Sequence, residues 1–288
     1  HMFIEEFTSK VVRHPEFWIA FVLFFVLCTT AVIVALIKVY KLPPMAALKV
    51  SITILLCAPF VYSIMRGNTI YFAIIFLLLF LLLYDHPKAY VREIGYLCLV
   101  FAGLIKIYPL FFGVFLLHKK RIWPAVRIAI YTVVLFFLSF FLYEGLEEIP
   151  RFINNLGGFM STEHRLLEGN NLSISALIYK IFSLFSNIKP DNTAFNIVNY
   201  CVLGVVFVVA TAAAVYTKNN FSRAAISSAI VILVPSISYF YILAFTLLPF
   251  MEFIRGYEDM DKKRRALYLL TFLFIFWQRT LSFIPCLL

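Results

Sequence analysis

Apolar stretches of helical length alternate with short polar or basic punctuation along almost the whole chain. Phe17 to Val39, charged only at Lys38, and the uncharged Thr69 to Leu83 are two such stretches. A helix needs roughly 17–25 residues to cross a bilayer core, and the second stretch lies at the short end of that range. Lipid offers no partner to an open strand edge, so the membrane segments are predicted to be helices. The pattern predicts an all-α, polytopic transmembrane protein, a single transmembrane domain over residues 1–288, with roughly eight to ten membrane segments.

The punctuation predicts the topology. Basic clusters fall at Lys38/Lys41/Lys49, His86/Lys88/Arg92, Lys119/Lys120/Arg121, Lys218/Arg223 and Lys262 to Arg265. Loops rich in Lys and Arg face the cytoplasm, so an even number of crossings should separate neighbouring clusters. Residues 46–84 satisfy this as two helices joined at Arg66-Gly67-Asn68. Residues 93–117 are too short for two full spans. Pro109 resolves the conflict: it lacks a backbone donor and disfavours helix at Tyr108, so the segment is expected to break there as two half-helices that dip in and return. Pro235-Ser236-Ile237-Ser238 repeats the device between Arg223 and Lys262. Broken helices at membrane depth must face protein or a watery cavity, so the two breaks predict one polar cavity open to the non-cytoplasmic face. Residues 144–193 are the longest polar region, expected as an external loop in which Leu172 to Phe185 forms an amphipathic helix.

Composition agrees with a membrane location: 63% of the 288 residues are hydrophobic and 14% are charged. The net charge of +10 is spread over the punctuation instead of one face, which argues for topology and against nucleic acid. The five cysteines stand singly, with no CxxC pair and no His at ligand spacing, so no metal site is expected. No Walker loop, dinucleotide fingerprint, HExxH motif or Ser elbow occurs, and no cofactor is expected.

Lys106 is the most informative residue, because an ammonium inside an apolar run is costly and usually faces a cavity or a partner. A snorkelling stem is the alternative reading. Arg66 stands at another external boundary, next to Gly67 and to Asn68, whose amide can bond sugar hydroxyls; an interface anchor is the alternative. Arg279 follows Trp277-Gln278 in the last helix and fits either an anionic headgroup or helix packing. Cations converging at the external end of a cavity suit a lipid phosphate. Tyr108, Tyr239, Phe240 and Tyr241 can floor a sugar site or belong to an aromatic belt. Asn171 is also a candidate N-cap for the amphipathic helix.

Taken in order, Arg66-Gly67-Asn68, Ala102 to Leu110 with Lys119-Lys120-Arg121 behind it, Asn170-Asn171-Leu172-Ser173, and Pro235 to Tyr239 leading to Leu248-Pro249 resemble the integral-membrane C-type glycosyltransferases. The closest resemblance is to family 87, the polyprenyl-phosphate-mannose-dependent mannosyltransferases, over about residues 60–250. The resemblance implies inverting transfer of a sugar from a polyprenyl-phosphate donor to a lipid or glycan acceptor, at a site facing the periplasm or exterior of the cell membrane, without a metal. It implies that Lys106, Arg66 and Arg279 bind the donor phosphate. It further implies that Asn68, Tyr108, Asn170, Asn171, Ser173, Ser236, Ser238 and Tyr239 line the substrate site. The family's first helix and the external loop with a catalytic Asp have no counterpart before Phe17 on this reading, which leaves Glu5 or Glu6 as base, with Glu163 or Glu168 as alternatives. Two rival readings remain: a transporter or flippase for a lipid-linked sugar, and a non-catalytic scaffold that binds a glycolipid or a partner subunit.

Overall fold

The computed structural model describes residues 15–65, 68–141, 145–160, 171–185 and 193–277. Among these the chain is an all-α membrane protein, with thirteen α-helices, two 3₁₀ segments and no strand. The first half contains α1 (Pro15–Lys38), α2 (Pro44–Leu56), α3 (Ala58–Met65), α4 (Ile70–Leu83) and α5 (Ala89–Ile105), then a 3₁₀ segment (Tyr108–Gly113) leading into the short α6 (Val114–His118). After it come α7 (Ile122–Phe141), α8 (Glu148–Met160), α9 (Ile174–Phe185), α10 (Thr193–Tyr216) and α11 (Asn220–Leu233). A second 3₁₀ segment (Phe240–Thr246) leads into α12 (Leu247–Arg255), and α13 (Lys262–Trp277) follows.

The hub is α4. Its sequence is apolar on every side, so no face prefers solvent, and 11 of its 14 residues are buried. It packs against α1, α5 and α12, and its tightest partner is α5. Gly95 allows that approach: a Cβ there would lie 3.1 Å from both the Leu83 Cβ and the Tyr84 amide nitrogen. In contrast, α7 and α10 lie at the periphery with most of their apolar surface uncovered, and these two are long and apolar enough to cross a membrane. The shorter apolar helices α4 and α11 stop at polar punctuation or at a break.

Two ends of the bundle differ in chemistry. At one end the basic clusters meet: Arg121 donates to the Tyr84 carbonyl (2.9 Å) and pairs with Asp85 (2.8 Å), which also receives Lys119 (3.0 Å). His118 Nδ1 lies 2.8 Å from the Val215 carbonyl. Glu252, buried at this end, accepts from the Tyr40 hydroxyl at 3.2 Å. Helices α4, α5, α11 and α12 run between this end and the opposite one, where the chain turns at Asn68 and breaks after Ile105 and Leu233. The clustering of basic loops and the location of the breaks therefore follow the sequence pattern.

The long polar region is more ordered than its composition suggests, for it holds α8 as well as α9. The amphipathic helix begins two residues later than expected, at Ile174. A crevice lined by Thr29, Val32, Ser51, Ile54, Phe60 and Ile75, among others, is apolar apart from its hydroxyls and lies between α1, α2 and α4, away from the breaks.

Candidate functional site

The first break follows from Pro109. With no N–H at that position the helical ladder cannot continue, and α5 ends at Ile105. Lys106 turns extended (φ −148°, ψ 132°), while its own N–H still closes on the Ala102 carbonyl at 3.1 Å. The chain then re-enters as a 3₁₀ turn, with Leu110 N–H donating to the Ile107 carbonyl (3.1 Å). Gly103 is the seat of this return. A Cβ there would lie 2.4 Å from Cδ2 and 2.6 Å from Cγ of Leu110, closer than atoms can approach. Gly103→Ala is expected to force Leu110 and the 3₁₀ turn outward, costing about 1–3 kcal/mol. Thermal unfolding checks this, and an unchanged midpoint would mean that the break tolerates displacement.

The second break is held by a different device. The helix α11 ends at Leu233, and Val234 to Ser236 form a bend that frees backbone groups inside the bundle. Several of these groups are satisfied by residues 171–173, distant in sequence. The Ser236 carbonyl accepts from Asn171 Nδ2 and from Ser173 Oγ, each at 3.0 Å. The Ser238 N–H donates to Asn171 Oδ1 (3.1 Å), and the Ser238 carbonyl accepts from the Leu172 N–H (2.7 Å). The Ser238 hydroxyl turns back to the Ile232 carbonyl. Asn171 Oδ1 also accepts from the Ser173 N–H (3.0 Å).

The sequence-based choice of N-cap is corrected here. Ser173, whose Oγ accepts from the Ala176 N–H at 3.1 Å, caps α9. Asn171 stands two residues outside the helix, its amide already engaged by the break.

The two breaks meet. The Tyr108 ring sits edge-on to Phe245 with centroids 5.6 Å apart, and the second 3₁₀ segment packs against α3 through Phe240 and Tyr62 (5.9 Å). Tyr239 and Tyr241 neighbour each other at 6.2 Å. Asn68 closes the turn before α4, its N–H donating to the Ser63 carbonyl (2.9 Å) and its Oδ1 accepting from Ile70 N–H (3.1 Å). Lys106 stands half-buried at the first break, and its ammonium has no ion-pair or hydrogen-bond partner among the described residues. The structure joins Asn171, Ser173, Ser236 and Ser238 by hydrogen bonds, with Tyr239 next in the chain, and links this segment to Tyr108 through Phe245; Lys106 lies two residues before Tyr108. Glu5, Glu6, Arg66, Asn170 and Arg279, like Glu163 and Glu168, lie outside the described residues.

Sequence reasoning passed over two buried charges. Arg223 served only as a marker of a basic loop, yet its side chain is fully buried. Glu252, also buried, is the first acid after Asp191 in the sequence, and that isolation in an apolar run was the available signal.

Broken helices inside an apolar bundle, a cation at one break with no partner among the described residues and a hydrogen-bonded polar joint at the other define a helical membrane protein. The model of Glycosyltransferase family 87 matches residues 12–238, and the chain belongs to that family. It is therefore a membrane glycosyltransferase, and the match extends through both breaks to Ser238. No curated protein and no solved structure matches the chain.

Proposed function

We propose that this glycosyltransferase moves a sugar, mannose in the first instance, from a polyprenyl-phosphate donor to a lipid or glycan acceptor on the non-cytoplasmic face of the cell membrane. The observation that carries the reading is the Lys106 ammonium at a helix break, without an ion-pair or hydrogen-bond partner among the described residues. A cation kept unpaired in a low-dielectric setting has a partner elsewhere, and a lipid phosphate supplies two or three strong acceptors.

The chemistry is one displacement. A base takes the proton of the acceptor hydroxyl, whose oxygen bonds to the anomeric carbon. The bond from that carbon to the phosphate oxygen breaks, and the electron pair leaves with the polyprenyl phosphate. Attack opposite the leaving group inverts the anomeric centre. Lys106 stabilises the charge gathering on the phosphate. Arg66 and Arg279 are assigned to the same phosphate, and Glu5 or Glu6 to the base, on sequence grounds alone. Asn68, Asn170, Tyr108 and Tyr239 face the sugar in this reading, with Asn171, Ser173, Ser236 and Ser238 as the wall behind it.

The reading is tested by supplying purified protein in nanodiscs with radiolabelled polyprenyl-phosphate-mannose and a membrane-lipid mixture. Labelled product is expected; donor binding without any product would favour a glycolipid-binding scaffold.

Orientation is tested separately. The reading makes the chain multi-pass and places the basic end in the cytoplasm. A cysteine at Arg151, exposed on α8, in a background lacking the exposed Cys201, is expected to react with an impermeant thiol reagent on intact cells. Labelling only after lysis would reverse the orientation and remove an external active site.

A further inference from the structure

We infer that Asn171 is a positioning residue for sugar transfer: its amide locks the second helix break to the start of α9 and so fixes the wall that faces Lys106. The inference deepens the reading of Lys106 as the donor-phosphate cation, on which it rests.

The geometry is specific to the amide group. Asn171 is buried, and both ends of its side chain are used. Its Nδ2 donates to the Ser236 carbonyl (3.0 Å), while its Oδ1 accepts from two N–H groups, those of Ser173 (3.0 Å) and Ser238 (3.1 Å). One side chain thereby bridges two segments 65 or more residues apart. The neighbouring backbone adds the Leu172 to Ser238 bond at 2.7 Å, and Ser173 Oγ closes the frame by donating to the Ser236 carbonyl while capping α9. Aspartate would keep the two acceptances but set an oxygen against the Ser236 carbonyl. Alanine would leave two backbone donors without that acceptor at a buried site and remove one of the two bonds to the Ser236 carbonyl.

What the joint holds is the route to the site. Directly after Ser238 come Tyr239 and the 3₁₀ segment, whose Phe245 carries the Tyr108 ring at 5.6 Å, two residues from Lys106. Its Phe240 packs on Tyr62 of α3, which leads to Asn68. A shift at Ser236–Ser238 is therefore transmitted to the aromatic side of the site, whereas Lys106 stays anchored to α5 by its N–H bond to the Ala102 carbonyl (3.1 Å). Displacement of about 1 Å in a group that orients a reactant costs up to about a hundredfold in rate. Loss of the joint should therefore act on turnover and spare donor capture.

The experiment uses the full chain in nanodiscs as Asn171→Ala, Asn171→Asp, Ser173→Ala and Ser173→Thr, alongside Lys106→Ala. Thermal unfolding, donor KM and kcat with polyprenyl-phosphate-mannose are measured, together with the distance between spin labels at the exposed Leu177 of α9 and the exposed Leu233 of α11. In Asn171→Ala, kcat is expected to fall ten- to a hundredfold with donor KM within twofold, and the label distance to broaden. Asn171→Asp should fall between, and Ser173→Thr, which keeps the hydroxyl, should restore what Ser173→Ala loses. An unchanged, narrow distance distribution in Asn171→Ala overturns the inference whatever the assay shows. So does a broadened distribution with unchanged kcat, or a KM rise that accounts for the whole loss. If Lys106→Ala transfers normally while Asn171→Ala shows the split, the donor-phosphate assignment fails and the joint stands.

Discussion

Lys106→Ala is expected to cut kcat for sugar transfer about 10²- to 10³-fold, the usual consequence of removing one preorganised group that meets charge in the transition state. The protein should meanwhile remain as stable as the parent or become slightly more so. The ammonium is half-buried at the end of α5 and has no partner among the described residues, so its removal breaks no bond within the fold and relieves a desolvated charge. That pairing of outcomes separates a functional cation from a structural one. Lys106→Arg keeps the charge but replaces a compact ammonium by a planar fork, and should retain part of the activity. The measurement is single-turnover transfer in nanodiscs beside a thermal unfolding scan. Activity within threefold of the parent would detach Lys106 from the reaction, and a fall in activity matched by a fall in stability would make it a packing residue.

The second large effect is on stability. In Arg223, Nε donates to the Ala214 carbonyl at 3.0 Å, and the two terminal nitrogens reach the Asn220 side chain and the Thr217 carbonyl. The guanidinium also lies over the Phe115 ring, 5.3 Å from its centre. Its position answers a general need: the last carbonyls of a helix have no partner within it, and a cation at that end also meets the negative pole of the helix dipole. Here Arg223 of α11 supplies the partner for α10, with His118 contributing at Val215. Arg223→Ala should therefore orphan one buried and two partly buried acceptors at once, costing about 3–5 kcal/mol. At the usual scaling this is a fall of about 6–15 °C in unfolding midpoint. Lysine, with one compact charge, cannot reach three separate acceptors and should recover less than half of the loss. A change below about 1 kcal/mol in Arg223→Ala would show that water replaces the guanidinium at this end of the bundle.

These two residues show how differently a charge in an apolar chain can be used. In the sequence Lys106 stands inside an apolar run, whereas Arg223 follows Asn219-Asn220-Phe221-Ser222 and reads as loop punctuation. In the fold, one has no partner among the described residues and the other spends every nitrogen on the protein. A cation satisfied by carbonyls holds helices together, whereas an unsatisfied one at a break is available to a substrate.

The sequence alone determined the class of fold, the position of both breaks and the gathering of basic loops, because each depends on local physics. Apolar runs force helices in lipid, Pro109 and Pro235 lack the donor that a helix interior needs, and repeated basic punctuation between runs of set length fixes which ends coincide. The short motifs from Asn68 to Ser238 also carried the family, since their order is a property of the chain. Tertiary structure decided what those motifs do. That Asn171 joins Ser236 and Ser238 in place of capping α9 depends on a contact across 65 and 67 residues, which no periodicity encodes. The same holds for Tyr108 against Phe245, Gly103 beneath Leu110, and Arg223 at the end of α10. Hydrogen bonding and close packing are pairwise and short-ranged, so their partners are fixed only when the helices meet.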